Sequence, residues 1–185
     1  MLEAWNKTET EIKLPASDPQ AALGRIESAR LRLVKERTFE SNLLFDTPDA
    51  SLRRQSQVLR LRQSGEQCLL TFKGAPLHRR HKVREEIEIQ ISGIDAMKVV
   101  LERLGFLVSF RYEKYRTEFG DDEGIVTMDE TPIGNYLELE GPAGWIDAMA
   151  RNLGYPESEY ITKSYGRLYL EYCQRTGIEP SHMVF

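Results

Sequence analysis

The sequence predicts an α+β domain built on long antiparallel strands. Two observations carry that prediction. First, charged residues recur at positions two apart along stretch after stretch, each opposite an apolar face, which is the period of a β-strand. Second, three of the strands that bear paired carboxylates are each followed by a stretch with the 3.6-residue apolar stripe of a helix.

The first strand shows the pattern. In residues 8–14, Glu9, Glu11 and Lys13 point one way and Thr10, Ile12 and Leu14 the other. Asp18 and Pro19 then start a helix, with Asp18 as cap and Pro19 in the first turn. Ala22, Leu23, Ile26 and Ala29 form its stripe. A long strand is predicted from Leu33 to Asp46, with Val34, Phe39, Leu43 and Phe45 as its apolar residues and Glu36, Thr38, Glu40 and Asn42 alternating with them. Thr47-Pro48-Asp49 breaks it, and residues 50–55 make at most one helical turn. Residues 58–62 and 69–73 form a hairpin across the Gly65 turn, with Arg60 and Arg62 on the face opposite Leu59 and Leu61, and Lys73 opposite Leu70 and Phe72.

A basic loop at residues 77–82 follows and is expected to be exposed, with its His78 and His81 too poorly accompanied for a zinc site. In residues 82–91, Lys82, Arg84, Glu86 and Glu88 share one face, opposite Val83, Ile87 and Ile89. Residues 92–95 read as a capping box for a helix striped by Ile94, Met97, Leu101 and Leu104 and ended by Gly105. Strands are predicted over 106–119, carrying Lys114 and Arg116, over 125–129, ending on Asp129, and over 135–140, carrying Glu138 and Glu140. Helices with Ile146, Met149 and Leu153, and with Tyr165, Leu168, Tyr169 and Tyr172, complete the domain. Residues 1–175 are read as one domain and 176–185 as a loose tail.

Bulk composition narrows the functional classes. The chain has 185 residues, 41% hydrophobic and 29% charged, which suits one soluble globular domain. A net charge of -4 argues against a duplex-nucleic-acid binder. No stretch has the length and apolarity of a membrane span, and residues 1–7 are too short and polar for a signal peptide. Cys68 and Cys173 have no metal-type spacing and are read as reduced thiols, which with the preceding points leads to a cytoplasmic assignment.

The charged faces pose one structural choice. They form a large solvated surface, or the sheet closes into a barrel with the charges inside and the helices cover its apolar exterior. A barrel of about eight strands has room for a small ligand. Buried charges in such number need partners, and a polyanion with a divalent metal satisfies both signs. Arginines and lysines grip phosphate oxygens, and carboxylates two residues apart on a strand face one hard cation such as Mg2+ or Mn2+.

Glu9-Thr10-Glu11-Ile12-Lys13 resembles the N-terminal Glu-x-Glu-x-Lys motif of the CYTH family, the triphosphate tunnel metalloenzymes. Arg60-Leu61-Arg62, Lys73, residues 84–88, Lys114-Tyr115-Arg116, Asp129, Glu138-Leu139-Glu140 and Lys163-Ser164-Tyr165 are similar to the family's motifs and fall in its order. The resemblance implies a closed eight-stranded antiparallel β-barrel, a tunnel with a charged lumen, flanked by helices. It also implies a triphosphate ligand (tripolyphosphate, thiamine triphosphate or ATP), with a homodimer compatible with it. Glu9, Glu11, Glu88, Asp129, Glu138 and Glu140 would be metal ligands. Lys13, Arg60, Arg62, Lys73, Arg84, Lys114, Arg116 and Lys163 would bind substrate. Glu9, Glu11, Lys73, Glu138 and Glu140 would be the catalytic set, with water, or in a cyclase a ribose hydroxyl, as nucleophile.

Family members include thiamine triphosphatases, inorganic tripolyphosphatases and class IV adenylate cyclases. The present chain has Asn42 and Leu44 where many members carry Asp and Tyr, on a strand that shapes the tunnel wall. It offers Trp5 in place of the His-Phe element that precedes the first motif in class IV cyclases, although residues 160–170 resemble that class. The reading is therefore a metal-dependent triphosphatase, with an adenylate cyclase as alternative and a non-catalytic polyphosphate- or nucleotide-binding module as second alternative.

Overall fold

A computed structural model describes residues 6–78 and 80–185, with the backbone alone for Asn6 and His78. Trp5 and Arg79 lie outside the described residues. Nine strands are present among them: β1 (Asn6–Pro15), β2 (Arg32–Asp46), β3 (Val58–Ser64), β4 (Gln67–Lys73), β5 (Leu77–His78), β6 (Lys82–Ile91), β7 (Leu107–Gly120), β8 (Ile125–Thr131) and β9 (Gly134–Glu140). The helices are α1 (Pro19–Ser28), α2 (Ser51–Arg54), α3 (Ile94–Arg103), α4 (Ala143–Asn152) and α5 (Tyr165–Thr176).

The sheet runs β1-β9-β8-β7-β2-β3-β4-β6, every pairing antiparallel, and β6 returns to pair with β1. Eight strands thus close into a barrel, with the two-residue β5 attached to β6. Closure removes every edge from the long strands. Among the described residues no helix is long and apolar enough to cross a membrane.

The register explains how so many charges are tolerated inside. Glu9 lies opposite Arg84 and Glu11 opposite Lys82 across β1–β6. Lys13 faces Glu138, Lys73 faces Glu86, Glu40 faces Lys114 and Arg116 faces Asp129. Directly opposed residues on one face interact most strongly, so this register is favoured over slipped ones.

The outward faces pack under the helices. Ile12, Leu14, Val126, Met128, Leu137 and Leu139 lie beneath α1 and α4, with Ile26, Ile146 and Leu153 fully buried between the layers. Asp18 caps α1 through a 3.1 Å bond from the Ala21 N–H. The turn before β8 passes under Trp145 of α4, whose ring would lie 2.5 Å from any Cβ at Gly124. A second cluster joins Leu101 of α3 to Phe45 and Leu61. A third joins Tyr165, Tyr169 and Cys173 of α5 to Tyr112.

Four expectations change. Leu33, Val34 and Phe39 of β2 are exposed rather than core, because β2 and β7 extend as a bulged ribbon beyond the helix-covered part of the barrel. The N-cap of α3 is Gly93, without a side-chain cap, so residues 92–95 form no capping box. The basic loop is anchored: His81 is buried, and its Nε2 lies 2.8 Å from Asp147 of α4. The tail is also docked. Met183 is 1% exposed, its N–H donates to the Arg111 carbonyl at 3.0 Å, and its carbonyl accepts from the Glu113 N–H at 2.8 Å.

Candidate functional site

Period-two alternation on eight closed strands directs one face of each strand inward. The lumen is a cavity of about 190 Å³ lined by residues from all eight barrel strands and by Tyr165 of α5. Its walls carry nearly all the charges singled out in the sequence. Lys114 and Asp129 are 1% and 0% exposed, so the desolvation cost here is large and the partners must be specific.

On one side lies a cation-rich wall. Asp129 accepts from Lys114 Nζ at 2.9 Å, from Arg116 Nε at 2.7 Å and from the Tyr165 hydroxyl at 2.6 Å. Glu138 accepts from Lys13 Nζ at 2.8 Å and also from Arg116. Arg60 donates to the Tyr112 hydroxyl at 3.3 Å and to Thr71 Oγ1 at 3.2 Å. Arg62 donates to Asn42 Oδ1 at 3.2 Å. Two buried donors here, Arg60 Nε and Asn42 Nδ2, have no acceptor among the described residues. Buried unpaired donors are costly, and an anion's oxygens would relieve that cost.

In the same lumen a group of carboxylates gathers, interleaved with further cations. Lys73 Nζ lies 2.6 Å from Glu9 and 2.9 Å from Glu86. Arg84 Nε lies 2.9 Å from Glu9, and Lys82 Nζ 2.6 Å from Glu11. Glu9, Glu86 and Glu140 each present a carboxylate oxygen, all within 4.8 Å of one another. Three hard oxygens this close suit a divalent cation of the Mg2+ or Mn2+ kind.

The proton affinities follow these contacts. Burial pushes the Glu9 and Glu138 carboxyls up, but Lys73 and Arg84 beside Glu9, and Lys13 and Arg116 beside Glu138, hold both well below the usual carboxylate range. Glu140 goes the other way: burial and the nearby Glu9 and Glu86 raise it, outweighing Lys7. Burial, joined by Lys13 and Arg84, lowers Lys82 to about 8 against the pull of Glu11. Tyr112 is raised by burial, but Arg60, Arg62 and Lys114 bring it down to about 8.

A CYTH domain model matches residues 7–165. The chain belongs to the CYTH family. Among curated proteins it is 26% identical over 133 residues to one from Methanocaldococcus jannaschii named "Putative adenylate cyclase MJ0240", covering 71% of this chain and 75% of that one. Many solved structures share the fold, and two serve as examples. One, from Vibrio parahaemolyticus and also named as a "putative adenylate cyclase", has a TM-score of 0.78 at 22% identity, covering 88% of this chain and 97% of that one. The other is HpAC1 from Hippeastrum, described as a "putative adenylyl cyclase" with a dominant triphosphatase activity. Its TM-score is 0.64 at 20% identity, covering 94% and 97%.

Within this CYTH barrel, Glu9, Glu11, Lys13, Arg60, Arg62, Lys73, Arg84, Glu88, Lys114, Arg116, Glu138 and Glu140 line one lumen, with Asp129 buried behind them. Lys163 is not brought into it. That side chain is half exposed and ion-paired with Glu171 at 2.8 Å, because Ser164 begins α5 immediately after it. Of the carboxylates nominated for metal, Glu9 and Glu140 join the close group. Glu11, Asp129 and Glu138 lie outside that group, bonded to lumen cations as Glu9 also is, and Glu88 accepts from Thr71 at 2.8 Å.

Glu86, Glu40, Tyr112 and Tyr165 were absent from the sequence-derived set. Glu86 and Glu40 were visible as same-face charges on β6 and β2. The two tyrosines carry no charge pattern, and only packing brings their hydroxyls to Arg60 and Asp129.

Proposed function

We propose that the protein is a divalent-metal-dependent triphosphatase that hydrolyses an inorganic or organic triphosphate held in the lumen. The observation that carries this reading is that one cavity is lined both by many lysines and arginines and by the close Glu9, Glu86 and Glu140 carboxylate group. Lys13, Arg60, Arg62, Lys114 and Arg116 would bind the phosphate oxygens. Arg60 Nε, a buried donor without an acceptor among the described residues, supports an anionic ligand there.

Glu9, Glu86 and Glu140 would hold Mg2+ or Mn2+, which when bound supplies charge neutralisation and Lewis acidity. Lys73, between Glu9 and Glu86, fixes the two carboxylates in place. Phosphoryl transfer asks the protein mainly for positioning and charge stabilisation, and buried charges of both signs in one lumen would supply both.

A second reading is cyclisation of ATP to cyclic AMP and pyrophosphate, which the name of the Methanocaldococcus jannaschii relative favours. Both are tested by incubating the protein with tripolyphosphate, thiamine triphosphate and ATP in the presence of Mg2+ or Mn2+. Release of phosphate is the expected result. Cyclic AMP as the main product from ATP would replace the hydrolytic reading by the cyclase, and no turnover of any triphosphate would remove both.

A further inference from the structure

Outside the lumen, one cluster of titratable groups joins three separate segments of the chain. Asp147 of α4 accepts from the Tyr160 hydroxyl at 3.3 Å, and the same carboxylate oxygen lies 2.8 Å from His81 Nε2. Arg80 donates to its second oxygen and pairs with Glu157 at 3.2 Å. The His81 side chain is 8% exposed and that of Asp147 15%, so the contact between them is largely shielded from water. Burial pushes the Asp147 carboxyl up, but His81, Arg80 and Tyr160 together hold it below the usual carboxylate range.

The chemistry assigned to the lumen uses none of these groups, yet the cluster ends one residue away from it. His81 immediately precedes Lys82, the first residue of β6. Lys82 lines the lumen, and its Nζ lies 2.6 Å from Glu11. In the sheet Lys82 pairs with Glu11 of β1 on one side and with His78 of the two-residue β5 on the other. The first residue of a strand frays unless the chain before it is held. Asp147 supplies that hold. Through His81 it ties the loop to α4, whose Ile146 and Met149 are buried against the outer face of the barrel.

We propose that Asp147 is a positioning residue for triphosphate binding, which from outside the barrel wall fixes Lys82 in the lumen through His81. The proposal rests on the lumen being the triphosphate site. Lys82 then holds its ammonium group beside Glu11, where it can reach a phosphate oxygen. Loss of the tie frees the start of β6, and the ammonium group with it.

Calorimetric titration of the full chain with tripolyphosphate and Mg2+, with thermal melts alongside, tests this without depending on turnover. Asp147→Ala removes all three contacts at a helix position that alanine suits. Asp147→Ala, His81→Ala and Lys82→Met are each expected to weaken tripolyphosphate by about fivefold or more. The double variants decide the matter. With Lys82→Met already present, Asp147→Ala or His81→Ala should change the affinity by less than about twofold, while lowering the melting midpoint as each does alone. A purely structural role would give the same affinity loss with and without Lys82→Met, and that result would overturn the proposal. Native affinity in Asp147→Ala and His81→Ala, or in Lys82→Met, would also overturn it. Failure of the native chain to bind tripolyphosphate would overturn the lumen reading and the proposal together.

Discussion

The Tyr165 hydroxyl donates a 2.6 Å hydrogen bond to Asp129, at the centre of the cation-rich wall. The last helix is thereby tied to the lumen by a buried polar contact. Burial, together with Asp129 and Glu138, holds the phenol proton firmly, so Tyr165 acts as a donor. Tyr165→Phe removes a bond to a charged acceptor and should cost about 2 kcal/mol in urea unfolding. It should also weaken triphosphate binding, because Asp129 also orients Lys114 and Arg116.

Glu138 and Glu140 sit two residues apart on the same strand face, yet their substitutions should behave differently. Glu138→Gln removes the buried carboxylate that Lys13 and Arg116 share, leaving Arg116 with Asp129 and Lys13 with Glu11 at 3.4 Å, and should destabilise the fold by about 3 kcal/mol. Among the described residues Glu140 pairs with the exposed Lys7, so Glu140→Gln should change stability by less than about 1 kcal/mol. It should nonetheless weaken Mn2+ binding strongly. Thermal melts with and without Mn2+ separate the two effects.

Arg60→Lys keeps the charge but removes the planar fork that reaches Tyr112, Thr71 and the lumen. Triphosphate affinity should fall about tenfold, equivalent to roughly 1.4 kcal/mol. Calorimetry with tripolyphosphate measures it. Unchanged affinity would remove Arg60 from the binding wall.

Tyr112 gives a pH dependence with a definite sign. Its phenol titrates near 8 in the fold and near 10 in the unfolded chain. Between those values the unfolded chain holds more protons, so the stability this group contributes rises with pH and is lost as pH falls through about 8. The difference in unfolding free energy between the native protein and Tyr112→Phe should grow by roughly 1–3 kcal/mol from pH 7.5 to 10. Triphosphate binding should move oppositely, weakening above pH 8 as the phenolate adds negative charge, and Tyr112→Phe should flatten that profile.

Met183 is buried among Tyr112, Tyr165 and Tyr169. Met183→Ala should cost about 2–3 kcal/mol, the usual range for a core truncation, measured by urea unfolding. A loose tail would show no change.

Strand faces were legible in the sequence because the side-chain period of two is a property of the local backbone. Glu9, Glu11 and Lys13 fall on one side of β1 whatever the strand packs against. The helix stripes of α1, α3 and α4 were legible for the same local reason. Which carboxylates come together was decided by the closed barrel. Glu86 stands beside Glu9 and Glu140 because β1 pairs with β6 on one side and β9 on the other. Glu138, on the same face as Glu140, is taken up by Lys13 and Arg116. The docked tail and the hydroxyls of Tyr112 and Tyr165 were equally out of reach, since their contacts come from chain segments far apart in sequence. Periodicity fixes the direction of a side chain; register, closure and helix docking fix the partner it finds there.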